Sequence, residues 1–263
     1  MVTKAEHAPR PMGLPLVRMQ WLNLLFAHWP VPAEALRDLV PHELEIDTHG
    51  GSAWIGLVPF TMRDVNAALL PVGSWRGWTA FDECNVRTYV RHQGEPGVWF
   101  FSLDAASRLA VWAARRFFHL PYFSARMSLK RDGDRIDYAV NRIDQPRAAM
   151  RCCWRVGRPL EASRDGELQF FLTERYALYA ADGAGRVYRG PIWHERWSLA
   201  EAELLHLEDT LVAAAGVEVT GPPATLHHAD FIDTRAWALE EIGRYRYVTA
   251  IEILNEPATM ARR

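Results

Sequence analysis

Glu83 and Arg87 stand four residues apart in Thr79–Gln93, a stretch in which Val86, Thr88 and Val90 recur at every second position. A period of two reads as a half-buried strand and puts Glu83 and Arg87 on one of its faces. A carboxylate and a guanidinium so placed can close an ion pair. A carboxylate that is also buried is pushed toward its protonated form and becomes able to exchange protons near neutrality. Glu174 and Arg175 are adjacent, within Phe171–Tyr176, between apolar runs. Neighbours on a strand point to opposite faces, so these two do not pair and one of them faces inward. The inward one then needs a partner, as a site residue or as a member of a structural network.

His194, between Trp193 and Glu195, is either a proton carrier, given an unperturbed pKa near neutrality, or a packed, hydrogen-bonded histidine. In His227-His228-x-Asp230 only His228 and Asp230 share a strand face, and no further remote ligand is evident, so no metal site is expected. Amine chemistry has one realistic candidate, since the lysines are Lys4 and Lys130. Lys130 adjoins the turn dipeptide Asp132-Gly133, where side chains are ordinarily exposed, and an exposed lysine is a poor nucleophile.

The elements that must carry these residues are mostly strands. Met19–His28, Leu44–Asp47, Ala53–Met62, Thr79–Gln93 and Val98–Leu103 read as strands, with Pro59 marking a bulge or an edge. Ala33–Val40 reads as a short helix, with Pro32 suited to its first turn and Pro41 closing it. Ala105–Phe118 is a helix. Ser124–Arg131 and Arg135–Arg142 form a hairpin around Asp132-Gly133, and Met150–Val156 is a further strand. Glu167–Glu174 is a short helix, followed by strands at Tyr176–Ala180 and Arg186–Tyr188. The capping box Ser198-x-x-Glu201 predicts a helix over Leu199–Ala215, stopped by Gly216. Leu226–Ile232 and Tyr245–Leu254 complete the strands. Many strands joined by short turns, with few helices, predict an α+β protein with a large antiparallel sheet or barrel in a single domain. Residues 1–15 read as a flexible arm, 16–256 as the domain and 257–263 as a tail.

Composition narrows the function classes. A hydrophobic content of 49% supports a sizeable core, and a net charge of −2 argues against nucleic acid and anionic membrane as partners. No glycine-rich phosphate loop is present, and no cofactor is expected. Cys84, Cys152 and Cys153 are odd in number and lack metal-ligand spacing, which suits a reducing, cytoplasmic setting. The run Met19–Ala27 is too short and too interrupted to span a bilayer, so the protein is expected to be soluble.

Certain phrases resemble known families. Arg115 and Pro121 keep the spacing found in acetoacetate decarboxylase-like proteins between an arginine and a proline that precedes a pair of lysines. Here Tyr122 and Phe123 stand in place of those lysines, the first of which is the family's Schiff-base nucleophile. His28–Asp47 and Phe81–Cys84 resemble that family's N-terminal unit and its segment with an active-site acid. More closely, the phrases at Val58–Phe60, Phe100–Ala105, Ala114–Tyr122, Phe171–Tyr176 and His194–Trp197 resemble the YqjF-like family of uncharacterised proteins.

The resemblance implies a cone-like barrel of the acetoacetate decarboxylase type with a few flanking helices. It implies a pocket holding a small carbonyl or carboxylate compound, and no Schiff-base decarboxylation, because a phenol cannot form an iminium. Glu83 would be the acid/base. Arg87 and Arg115 would be anion clamps and Tyr122 an oxygen-directed donor, with Glu174, Arg175 and His194 as further binding candidates. Each has a plainer reading: Glu83 as the ion-pair partner of Arg87, Arg115 as a solvated charge, Tyr122 as core. Two other functions stay open, a non-catalytic ligand sensor and an interaction protein whose eleven tryptophans form a homo-oligomer surface.

Overall fold

Strand propensity and tight turns dominate the chain, and the computed structural model, which describes residues 10–67 and 80–244, is accordingly built on one large sheet. Its strands are β1 Val17–Val31, β2 Glu45–Ile46, β3 Ala53–Ala67, β4 Phe81–His92, β5 Glu95–Ala105, β6 Tyr122–Asp132 and β7 Arg135–Arg142. They continue as β8 Ala149–Pro159, β9 Ala177–Ala181, β10 Arg186–His194, β11 Ala200–Asp209, β12 Thr225–Ala236 and β13 Glu240–Arg244. The helices are α1 Glu34–Arg37, α2 Arg108–Phe118, α3 Leu168–Thr173 and α4 Leu211–Ala214. No described helix is long and apolar enough to cross a membrane. The expected strand Tyr245–Leu254 and the expected tail lie outside the described residues.

The order β5-β6-β7-β8-β11-β12-β1-β3-β4 closes on itself through β4–β5, giving a nine-strand barrel. Nearly all pairings are antiparallel. The exceptions are β5–β6, from Leu103↔Tyr122 to Ala105↔Ser124, and β5–β9 at Val98↔Leu178 and Trp99↔Tyr179. A parallel neighbour needs a crossover, and α2 supplies it between β5 and β6. Ser107 caps α2 by accepting from the Ala110 amide at 3.3 Å, and His119, at φ 50°, ends the helix in the left-handed region. A second path, β5–β9–β10–β12, leaves the barrel and rejoins it. The strands β12, β1, β3, β4 and β5 therefore belong to two closed circuits at once.

This double closure buries both faces of the shared strands. On one face, Leu25, Ala27, Leu57, Cys84, Val86 and Trp154 join the main core. On the other, Phe26, Val58, Phe60 and Trp197 form one cluster, and Tyr89, Phe100, Leu103 and Tyr122 form another. In β4 eight consecutive residues, Glu83–Val90, are buried. The alternation read from the sequence as half-buried is thus an apolar face against a buried polar one. Pro59 sits where the β1–β3 register shifts, between Leu22↔Thr61 and Ala27↔Leu57, so its missing N–H is not needed by that ladder.

One expected element is overturned. Leu199–Ala215 is not a helix: Ala200–Asp209 is β11, paired antiparallel with β8 from Ala200↔Pro159 to Asp209↔Met150. The capping sequence begins no helix; Asp209, one residue before the N-cap position Thr210, accepts from the Leu211 and Val212 amides at the start of α4. Pairing with β8 closes the barrel wall and outweighs the helix propensity of the Leu, Ala and Glu residues.

Candidate functional site

The buried polar face of β4 begins at Glu83. Its carboxyl accepts a hydrogen bond from the Tyr122 hydroxyl at 2.9 Å, and both side chains are buried. Tyr122 reaches it because β6 starts beside the end of β5, across the β4–β5 pairing Glu83↔Ala105. Burial pushes the Glu83 pKa up to about 8; the Tyr122 contact opposes that rise and nearby Asp104 adds to it. Desolvation also holds the Tyr122 phenol well above its ordinary value. Glu83 is therefore a protonated carboxyl at neutral pH, titrating close to it. Tyr138 steadies the backbone underneath, with its hydroxyl 2.7 Å from the Phe60 carbonyl and 2.9 Å from that of Glu83.

Two residues along the same face is Asn85, and two further is Arg87, both buried. Three arginines are buried among the described residues. Arg142 forms a bidentate pair with Asp104 at 2.8 and 2.9 Å, and Arg175 meets Asp47 at 2.6 Å. Arg87 has no described carboxylate within ion-pair distance. Its Nη2 donates to the Leu172 carbonyl at 3.1 Å and the Tyr89 hydroxyl oxygen at 3.3 Å, while its Nε has no partner. The Phe26 and Tyr89 rings lie 5.4 and 5.6 Å from the guanidinium. Such contacts contribute about 0.5–2 kcal/mol each, against an effective penalty of several kcal/mol for a buried, uncompensated ion. The same strand face thus carries a buried carboxyl held protonated and a buried guanidinium with no described carboxylate partner.

The family described as an uncharacterised conserved protein, DUF2071, matches residues 18–233. The chain belongs to that family. The uncharacterised protein YqjF of Bacillus subtilis (strain 168) is 43% identical over 232 residues, covering 88% of this chain and 94% of that one. Among solved structures, the enduracididine biosynthesis enzyme MppR complexed with pyruvate matches with a TM-score of 0.63 at 13% identity, covering 89% of this chain and 93% of that one. The acetoacetate decarboxylase of Legionella pneumophila subsp. pneumophila str. Philadelphia 1 matches with a TM-score of 0.61 at 14% identity, covering 90% and 92%. At these identities the likeness shows the fold, which is acetoacetate decarboxylase-like.

The residues singled out in the sequence divide into two groups. Glu83 and Tyr122 meet in a hydrogen bond, and Arg87 lies on the same face of β4 but four residues along the strand, about 13 Å away between backbones, with its guanidinium on Leu172 and Tyr89. Glu83 and Arg87 do not form the ion pair that their spacing allows, because Tyr122 takes the carboxyl. Arg115 is not brought to this face: it is exposed on α2, and its Nε donates to the Tyr122 carbonyl at 2.6 Å, tying helix to strand. Glu174 and Arg175 are both buried, which corrects the expectation that only one faces inward. They end α3, where the chain is no strand and the alternation rule does not apply. Glu174 accepts from the Tyr176 hydroxyl at 2.5 Å and the Trp197 amide at 3.1 Å. Arg175 is held by Asp47, which also takes Arg91 at 2.7 Å. His194 stacks on Tyr176 with centroids 4.7 Å apart. These three carry structural contacts behind α3. Lys130 is exposed on β6 opposite Asp137, and no described cluster has the makings of a metal site.

His28, Asn85 and Tyr89 belong to the same polar cluster and are not marked by a sequence motif. Asn85 carried the available signal, a third polar residue at the same period as Glu83 and Arg87. His28 carried none, because its neighbours are apolar and its partner Tyr89 is 61 residues away.

Proposed function

We propose that the chain binds a small organic carboxylate on the buried face of β4 and performs acid/base chemistry on an adjoining carbonyl. The observation that carries this is Arg87, a buried guanidinium without a counter-anion among the described residues, on the strand face that also presents a protonated carboxyl. A ligand carboxylate supplies the missing charge. Glu83, titrating near working pH, is matched to giving a proton to a carbonyl oxygen and taking it back. Tyr122 orients that carboxyl and occupies the position where acetoacetate decarboxylase-like proteins carry their amine, so the chemistry runs without a covalent amine intermediate. The pyruvate complex of the structural neighbour supports a short oxo acid as the ligand class.

The test is calorimetric titration of the protein and of Arg87→Met with pyruvate, acetoacetate and acetate. Replacing even a whole buried ion pair by well-packed apolar residues is often neutral or stabilising by about 1–4 kcal/mol, and Arg87 has no described counter-charge whose pairing would be lost. The variant is therefore expected to be at least as stable to urea while losing carboxylate binding by tenfold or more. Equal affinity in the two proteins would remove the basis of the reading.

A further inference from the structure

His28 is fully buried on β1, and its Nε2 lies 2.7 Å from the Tyr89 hydroxyl oxygen. That hydroxyl has one hydrogen, and the Leu172 carbonyl, 2.8 Å away, can only accept. Tyr89 therefore donates to Leu172, and its oxygen accepts from His28. Nε2 must carry the imidazole hydrogen. Burial, with Arg87 and His227 nearby, holds the His28 pKa well below its ordinary value, so the ring is neutral. Its Nδ1 is then a bare acceptor, and it is buried with no partner.

His28 and Arg87 belong to one row across the sheet, through the registers Thr225↔His28↔Gly56↔Arg87. Gly56 lies between them and, lacking a Cβ, lets both side chains close over it: a Cβ there would lie 2.9 Å from His28 Nε2 and 3.4 Å from Arg87 Cγ. Around this row the unpartnered buried atoms gather: Thr225 Oγ1, His28 Nδ1 and Arg87 Nε in the row, His227 Nδ1 and Asn85 Oδ1 one same-face step away. Buried polar atoms are ordinarily satisfied, and each left alone costs about 1–3 kcal/mol.

We propose that the Arg87 seat, while accepting simple and oxo carboxylates, prefers a carboxylate that also carries a hydroxyl, with the carboxylate on Arg87 and the hydroxyl donating to His28 Nδ1. The inference rests on the reading of Arg87 as a carboxylate seat and adds a residue and a substrate class to it. A site built around an unpaired acceptor disfavours the analogue that lacks the donor, because binding then seals the acceptor away from water.

The experiment compares matched pairs, lactate with propionate and 3-hydroxybutyrate with butyrate, on the wild-type protein and His28→Phe. In the wild type the better hydroxy acid is expected to bind at least tenfold tighter than its deoxy partner. In the variant, which keeps the ring shape and lets Tyr89 go on donating to Leu172, the ratio is expected to fall within twofold. Long-range nitrogen–proton spectra of the histidine-labelled wild type serve if the variant does not fold. They should show the Nε2–H tautomer, with an Nδ1 resonance that moves on adding the hydroxy acid and not the deoxy acid. Equal binding within both pairs, or a protonated Nδ1, overturns the proposal and leaves the Arg87 seat standing. No binding of any of the four acids overturns both.

Discussion

Glu83 differs from the buried aspartates Asp104 and Asp47 in that no described cation is aimed at it. Asp104 has the bidentate grip of Arg142 and Asp47 accepts from two arginines. Glu83 has a neutral phenol and desolvation, and the proton stays on. The consequence is thermodynamic. With a pKa near 8 in the folded state against about 4.5 unfolded, the native protein holds a proton that the unfolded chain releases between those values. Stability contributed by Glu83 is complete below pH 4.5 and is lost as pH rises toward 8, by about 1.4 kcal/mol per pH unit at most. Glu83→Gln keeps the Tyr122 contact and cannot titrate. Urea denaturation from pH 5 to 9 should show the variant gaining on the wild type as pH rises, with the difference levelling above pH 8. Parallel curves would mean that Glu83 is ionised in the folded state.

At the scale of elements, the hairpin at Asp132-Gly133, the strands β3 to β8 and the crossover helix α2 were legible because their determinants are local: turn residues, period and caps. β11 was not. Its Leu, Ala and Glu residues favour helix, and what makes it a strand is the exposed edge of β8, contributed by residues some fifty positions earlier. The polar face of β4 was visible as a pattern, but its burial was not, because the covering pieces, α3 and β9–β10, come almost a hundred residues later. The same long-range logic holds α3 in place. Asp47, just after β2, bridges Arg91 of β4 and Arg175 at the end of α3, and Arg175 also packs 4.2 Å from the Phe171 ring centroid. Asp47→Ala would strand Arg175 without a counter-charge, a loss of about 3–5 kcal/mol for a broken buried pair. Arg91→Ala removes a partner that is 41% exposed and should cost less than about 1 kcal/mol. Chemical denaturation of both variants checks the contrast; equal costs would mean that Asp47 is not the anchor of α3.

Across the whole molecule, the buried polar face of β4 exists because the sheet closes twice. A single nine-strand barrel would leave the outer face of β1, β3 and β4 to water, and Arg87 and Glu83 would be ordinary surface charges. The detour through β9 and β10, with α3 set against it, converts that face into an interior. Its junction with the barrel is tight at Gly97 of β5. A Cβ there would come within 2.6 Å of the Tyr179 ring and 2.7 Å of the Ala177 carbonyl oxygen, so any side chain must push β9 away from β5. Gly97→Ala should cost about 1–3 kcal/mol, as overpacking does. If the second closure builds the site, the damage reaches further than stability. The Leu172 carbonyl that orders Tyr89 and Arg87 shifts with β9, and pyruvate affinity falls together with the urea midpoint. A variant that is less stable yet binds pyruvate as tightly as the parent would show that the first barrel alone shapes the seat.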